Sequence, residues 1–296
     1  MELKPALTFE EQITHLREKH ALEIKNTSEA ISILSRINYY RLSAYGIGLK
    51  RTDDAEKFVD GISLTHLYHL YVFDSHLRNE LFHLIEHVEI ELRTQIAYHL
   101  SLTYGPEGYA NPANFINRLD RNRNSIHEIT MEKFYNEVKH QKNLPCVKHH
   151  QMKYGGRFPA WAAVELFTFG MLSSLYSIMK TPDQKKIASF YGIDAKHLNS
   201  WMQSLVDVRN KCAHYGRIYN MPLPRPPSLY KEYSLYQSNK IFSVILVLKR
   251  LTQGSAVWNN FFITLCGLIE KYPEVHLEFM DFPENWFDLL SDVGAL

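Results

Sequence analysis

Apolar residues recur at three- and four-residue steps over most of the chain, which predicts helices throughout. Phe9 to Lys19 reads as a first short helix. Thr27 stands where it can cap a second one, with Ala30, Ile31, Leu34 and Ile37 on one side. The Tyr-dense stretch Ile37 to Leu49 follows, and Gly46 and Gly48 close that unit. The strongest period comes after Ser63: Leu64, Leu67, Leu70, Leu77, Leu81, Leu84, Val88, Leu92 and Ile96. It predicts one long helix, or two nearly collinear ones, from Ser63 to about Leu100, ending by Tyr104-Gly105-Pro106. Asp74 with Arg78 and Glu89 with Arg93 are spaced as i,i+4 ion pairs on it.

Beyond Gly105 the pattern predicts a helix from Ser125 to Gln141, then a loop running to Phe158, with Pro159 starting the next helix. Trp161 to Met179 is nineteen residues with Glu165 as the only charge, close to a membrane span in length. Glu165, Gly170 and three serines in the second half favour a buried helix of a soluble bundle instead. Further helices are predicted from Thr181 to Tyr191 and from His197 to Ala213. A proline cluster, Pro222, Pro224, Pro226 and Pro227, then reads as an extended linker. Apolar helices resume at Lys240 to Leu251 and Val257 to Glu270. No segment alternates long enough to force a sheet, so the fold class is all-α. The division is a helical domain over residues 1–220, a linker over 221–230 and a C-terminal helical extension over 231–296 that packs on the main domain.

Composition narrows the function classes. With 296 residues and 45% hydrophobic residues the chain can bury a full core. A formal net charge of +1 excludes a whole-molecule polycation but not a local basic surface. Three cysteines exclude a four-thiolate site and argue against a disulfide framework. The chain therefore reads as reduced and cytoplasmic, with no membrane partner. The largest basic excess lies between Arg118 and Arg157, where nine Lys or Arg face four acids. Arg118, Arg121, Arg123, Lys139, Lys142, Lys148, Lys153 and Arg157 are thus candidates to bind RNA, and Tyr40 with Arg41 adds an aromatic–cation pair suited to stacking. Fifteen histidines suggest proton transfer or metal binding, but most fall on helix faces without ligand spacing. His149-His150, placed in the loop, lacks a third convergent ligand. Dinucleotide, P-loop, zinc-protease and serine-hydrolase fingerprints are absent, and no cofactor is called for.

The sharpest motif is Arg209-Asn210-x-x-x-His214, followed by Tyr215-Gly216-Arg217. On an ideal helix Asp207, Asn210 and His214 fall within about 60°, while Arg209 points about 140° from His214. Gly216 marks the helix end and leaves the imidazole beside the negative end of the helix dipole. The residue types suit RNA cleavage by its own 2′-hydroxyl. An imidazole can take or give a proton near neutral pH, and a guanidinium can hold a phosphate through a bidentate fork. Asn210 can orient the ring or bind the sugar-phosphate, and Asp207 and Glu165 are candidates for support, Glu165 either as a buried partner of Arg209 or His214 or as a half-exposed acid. As a short pattern, Arg-x4-His is also met at helix ends that carry no chemistry.

Four ordered blocks carry a resemblance. They are Asn38-Tyr39-Tyr40-Arg41-Leu42-Ser43-x-Tyr45, then Phe73-Asp74-x-x-Leu77-Arg78 with Glu89-x-x-x-Arg93. Next come Trp161-x-x-x-Glu165-x-x-x-Phe169-Gly170-x-Leu172-Ser173-x-Leu175-Tyr176, and Arg209-Asn210-x-x-x-His214. With these the chain resembles the Abi-like proteins (AbiD/AbiF group) of bacterial phage defence, in the HEPN superfamily, over roughly Phe9 to Asn220. The resemblance implies a HEPN-like helical bundle with additional N- and C-terminal helices. It also implies a ribonuclease site at Arg209, Asn210 and His214, formed where two motifs meet across a homodimer. It further implies RNA as substrate, with an antitoxin or regulatory RNA as a further partner. Set beside that expectation is a non-catalytic RNA-binding or protein-binding component of a defence or toxin–antitoxin system. A purely structural helical scaffold is the third reading.

Overall fold

A computed structural model describes residues 5–291. Helices dominate: α1 (Phe9–His20), α2 (Thr27–Leu34), α3 (Tyr39–Ser43), α4 (Leu64–Tyr104), α5 (Ile126–His140), α6 (Pro145–Tyr154) and α7 (Ala160–Ala163) in the first part. They continue with α8 (Phe169–Ile178), α9 (Thr181–Phe190), α10 (Ala195–Ala213), α11 (Ile241–Thr252), α12 (Ala256–Lys271) and α13 (Trp286–Leu290). Among the described residues the only strand-like pairing is in isolated bridges, so the all-α expectation holds. No helix is long and apolar enough to cross a membrane.

Helix α4 is the axis. Its 41 residues make one continuous helix of about 60 Å at 1.5 Å per residue, rather than two. Ser63 caps its start by accepting from the His66 amide at 3.0 Å, and Gly105, at φ 83°, ends it. The buried positions Leu67, Leu70, Leu77, Leu81, Leu84, Val88, Leu92 and Ile96 form a stripe along its whole length. Helices α7, α9, α10, α11 and α12 all pack on α4, while α5 lies against α8 on the far side of α10. The C-terminal helices α11 and α12 therefore share the core of α4 with those before the prolines.

Several predicted boundaries move for identifiable reasons. Asn26, not Thr27, caps α2, because its side chain accepts from the Glu29 amide at 3.1 Å. The expected loop before Phe158 contains helix α6, so His149 and His150 are helical. That helix starts on Pro145, stops at Gly155 in the left-handed region, and buries only Val147, too little to leave a period. The apolar run Trp161 to Met179 is broken. Helix α7 passes into a 3-10 turn at Val164–Leu166, and Thr168 then caps α8 by accepting from the Met171 amide at 3.2 Å. The proline segment is a strap rather than a free linker. The Trp201 indole donates to the Ser228 carbonyl at 2.7 Å, and Arg225 grips Asp207.

At the middle of this core Asp74 is wholly buried and collects four donors. One oxygen takes the Tyr45 hydroxyl at 2.6 Å and the Arg78 guanidinium; the other takes the backbone amides of Ile218 at 3.0 Å and Tyr219 at 2.8 Å. Burial, and then the Asp74 carboxylate, push the Tyr45 hydroxyl well above its ordinary pKa, so it remains a donor. The knot ties α3's neighbourhood, α4 and the chain just beyond α10 together. Asp74→Ala would strand a buried guanidinium and two amides and should cost about 3–5 kcal/mol. Tyr45→Phe, which removes one donor, should cost about 1–2 kcal/mol. Urea unfolding followed by circular dichroism measures both, and equal midpoints for Asp74→Ala and the unaltered protein would contradict this account.

Candidate functional site

The motif sits at the C-terminal end of α10, and the chain leaves that helix in a Schellman turn. The amide of Gly216 donates to the Lys211 carbonyl at 2.8 Å and that of Tyr215 to Cys212 at 3.1 Å. His214 is the capping residue, as Gly216 suggested, and its imidazole is exposed. Tyr215 takes the left-handed position (φ 56°) usually filled by glycine. Gly216 has no room for a side chain: a Cβ there would lie 2.8 Å from Lys211 Cγ and 3.2 Å from its carbonyl oxygen. Arg41 Nη1 donates to the Tyr215 carbonyl at 2.9 Å, and Arg217 donates to the Ala44 carbonyl. The first and last blocks of the sequence thus meet here and hold the imidazole's backbone in place.

Arg209 lies on a different face, as ideal helix geometry indicated. Its Nε stands 3.5 Å from Glu89 Oε2, its guanidinium carbon 5.6 Å from the centre of the Phe82 ring, and its Nη1 3.4 Å from Asn210 Oδ1. Glu89 is buried on α4 and is shared, because its other oxygen accepts from Arg93. Arg93 also donates to the Val164 carbonyl, which fixes the 3-10 turn after α7 against α4. Arg209 remains one-third exposed, at 34%, so one edge of its fork is open to solvent. Asn210 is exposed beside it, and among the described residues the His214 imidazole makes no hydrogen bond or ion pair. The single chain therefore presents an anchored cation and a free imidazole, not a closed catalytic pair.

The two support candidates lie elsewhere. Asp207 is bound by Arg225 through Nε–Oδ2 at 2.8 Å and Nη2–Oδ1 at 2.5 Å, and so faces the proline strap rather than His214. Glu165 is exposed on the 3-10 turn and pairs with neither Arg209 nor His214. The expectation of a buried acid on that apolar stretch fails because the chain turns there instead of continuing as a helix. Glu89 fills the role. Its signal was an acid at a core position of α4, one residue beyond Val88 and three before Leu92. Cys212, inside the motif, is buried, and burial pushes its thiol up to about 12, so it is no nucleophile at neutral pH.

The basic candidates are spread over separate parts of the surface. Arg118 donates to Ser177 Oγ at 2.5 Å and lines a cleft of about 500 Å³ with Lys133, Gln203, Val206 and Arg225. Val206 is one turn before Asn210, so this cleft adjoins the motif. Arg121 and Arg123 are exposed in the turn that Asp120 caps by accepting from the amides of Asn122 and Asn124. Lys139, Lys142 and Lys148 are exposed and unpaired among the described residues. Lys153 and Arg157 line a separate groove with His149 and His150, the latter stacked on Phe158. Tyr40 is 87% exposed, whereas Tyr45 is core, which divides the aromatic block between surface and packing. Among the described residues no three His, Cys, Asp or Glu converge as ligands for a metal ion.

A family model described as Abi-like protein matches residues 32–220, which hold both polar knots and the whole motif. No curated protein and no solved structure matches the chain. If Glu89 is the anchor of Arg209 and Arg93, Glu89→Ala should lower stability by on the order of 3 kcal/mol. Glu89→Gln, whose amide oxygen still accepts, should lower it less. An unchanged urea midpoint for Glu89→Ala would show that the carboxylate holds neither arginine.

Proposed function

The chain belongs to the Abi-like protein family, and from that membership we propose that it is a metal-independent endoribonuclease of phage defence, acting in abortive infection or as a toxin. The observation that carries the reading is the end of α10, where an exposed imidazole and a carboxylate-anchored guanidinium stand five residues apart on a rigidly held turn. We assign the fold to the HEPN superfamily on the same motif. His214 takes the proton of a ribose 2′-hydroxyl, the oxygen attacks the adjacent phosphorus, and the 5′-oxygen leaves with a proton from an imidazole acid. Arg209 holds the phosphate as its charge grows. Asn210 orients the ring or the sugar-phosphate. The products are a 2′,3′-cyclic phosphate and a 5′-hydroxyl.

One imidazole cannot be base and acid in the same step. A two-fold homodimer supplies the second His214 and lets each chain complete its partner's site. The basic side chains between Arg118 and Arg157 then steer the RNA backbone. A second reading has its own support: Arg209 is engaged by Glu89 within the chain. That pairing suits a non-catalytic RNA-binding or protein-binding component of a defence or toxin–antitoxin system, with an antitoxin or regulatory RNA as its partner.

Cleavage of RNA should survive excess chelator and leave 2′,3′-cyclic or 3′-phosphate ends, read by end-specific labelling. His214→Ala and Arg209→Ala should each abolish it while helical content is kept, and Asn210→Ala should only weaken it. Full activity in a folded His214→Ala protein would end the assignment of His214 as the catalytic imidazole. Salt-dependent RNA binding without any cleavage would favour the second.

Assembly and the basic surface give an independent check. Sedimentation at micromolar concentration should return about twice 34.7 kDa. Replacing Lys139, Lys142 and Lys148 with Glu should raise the Kd for RNA and flatten its salt dependence without changing the products. An active monomer would remove the shared-site mechanism.

A further inference from the structure

We propose that the groove between α6 and α7 is a binding site for an unpaired RNA base, with Trp161 as its stacking platform. The proposal rests on the RNA reading above but concerns a different surface from the motif. The groove encloses about 750 Å³ and is lined by Pro106, Pro159, Tyr154, Trp161 and the cations Lys153 and Arg157, with His149 and His150 behind them. Its aromatic rings are left uncovered: Trp161 is 58% and Tyr154 47% exposed. Neither exposure serves the core. The Trp161 indole N–H has no partner among the described residues, although buried Trp201 donates to a carbonyl.

The frame around these rings is rigid. Gly155 and Gly156, both in the left-handed region (φ 61° and 80°), turn the chain sharply at the end of α6. His150 stacks on buried Phe158 at 4.9 Å and 13°, and its Nδ1 is hydrogen-bonded to the Cys146 carbonyl at 2.9 Å. The Pro106 carbonyl takes the Ala160 amide at 2.7 Å, closing the floor. A flat aromatic face held in this way loses little freedom when a base stacks on it.

Charge selects the ligand. Among the described residues Lys153 has no acid partner; its ammonium lies 5.4 Å from the centre of the Tyr154 ring. Arg157 is 75% exposed and ties up Glu107, the only acid in the lining. The groove thus offers cations and aromatic faces and no free carboxylate, which suits a base with its flanking phosphates better than a basic or neutral peptide. Position agrees: Trp161 is three residues before Val164, whose carbonyl Arg93 holds beside Glu89 and Arg209.

The test uses a single-stranded oligoribonucleotide carrying 2-aminopurine, whose fluorescence falls on stacking, titrated into His214→Ala protein so that the RNA stays intact. Binding should quench the probe. Adding Trp161→Ala should abolish the quench and raise Kd about tenfold, since one stacked base is worth about 1–3 kcal/mol and 1.4 kcal/mol is a factor of ten. Trp161→Phe should keep most of both, and all variants should melt alike because the indole is exposed. An unchanged Kd and quench in Trp161→Ala would overturn the proposal. So would capture of an acidic peptide at Trp161 with no binding of the oligonucleotide. The nuclease reading fails separately: quenching without cleavage by the unaltered protein supports the base site and removes the nuclease. Cleavage with no effect of Trp161→Ala on binding does the reverse.

Discussion

A carboxylate placed at the dry centre of a helical core must be surrounded by donors or it will not stay there. Asp74 meets that condition by drawing on three separate parts of the chain. Two of its donors are backbone amides just past the motif, so satisfying the acid also dictates where the chain goes after α10. The turn bearing His214 is therefore fixed from below by an interaction that touches no substrate. Arg41 and Arg217 fix it from the side through the carbonyls of Tyr215 and Ala44. The left-handed Tyr215 is tolerated because these contacts over-determine the turn.

Glu89 repeats the principle four helical turns along α4. It too is an acid on the buried stripe, and it too is shared, between Arg93 and Arg209. The two knots make α4 a ruler: one end locates the backbone of His214, the other locates the side chain of Arg209. Breaking either would shift one member of the motif relative to the other. Under the proposed function the distance between the members matters, because phosphate and proton must then be held within about an ångström of their reacting positions.

The class of fold was legible in the sequence because α4 repeats its apolar positions without interruption from Leu64 to Leu100. The motif was legible because Gly216 signals a helix end just past His214. What the pattern concealed were helices with little to bury, such as α6, and breaks inside apolar runs, such as Thr168. The acids are harder to place from sequence. Glu165 stands alone in an apolar run, yet it is exposed where the run turns. Glu89 was read as half of an i,i+4 pair with Arg93, which is correct but incomplete. Its second partner is 120 residues away in sequence, and spacing along one helix carries no sign of it. The basic stretch was legible as composition, but not its division into a cleft, a turn and a groove.

That division bears on how a strand would lie. Arg118, Lys133 and Arg225 line the cleft beside Val206, one turn from Asn210. Trp161 and Lys153 line the groove beyond the turn at Val164. The cleft and the groove differ in chemistry: the first is hydroxyl-rich and cationic, the second aromatic and cationic. A uniform basic face would attract a duplex and a single strand alike. Under the proposed RNA reading, a polar cleft and an aromatic groove on one molecule suit a strand with its bases free on one side, because only unpaired bases can reach a ring face. On that reading, a preference for single strands comes from these two surfaces rather than from any residue of the motif itself.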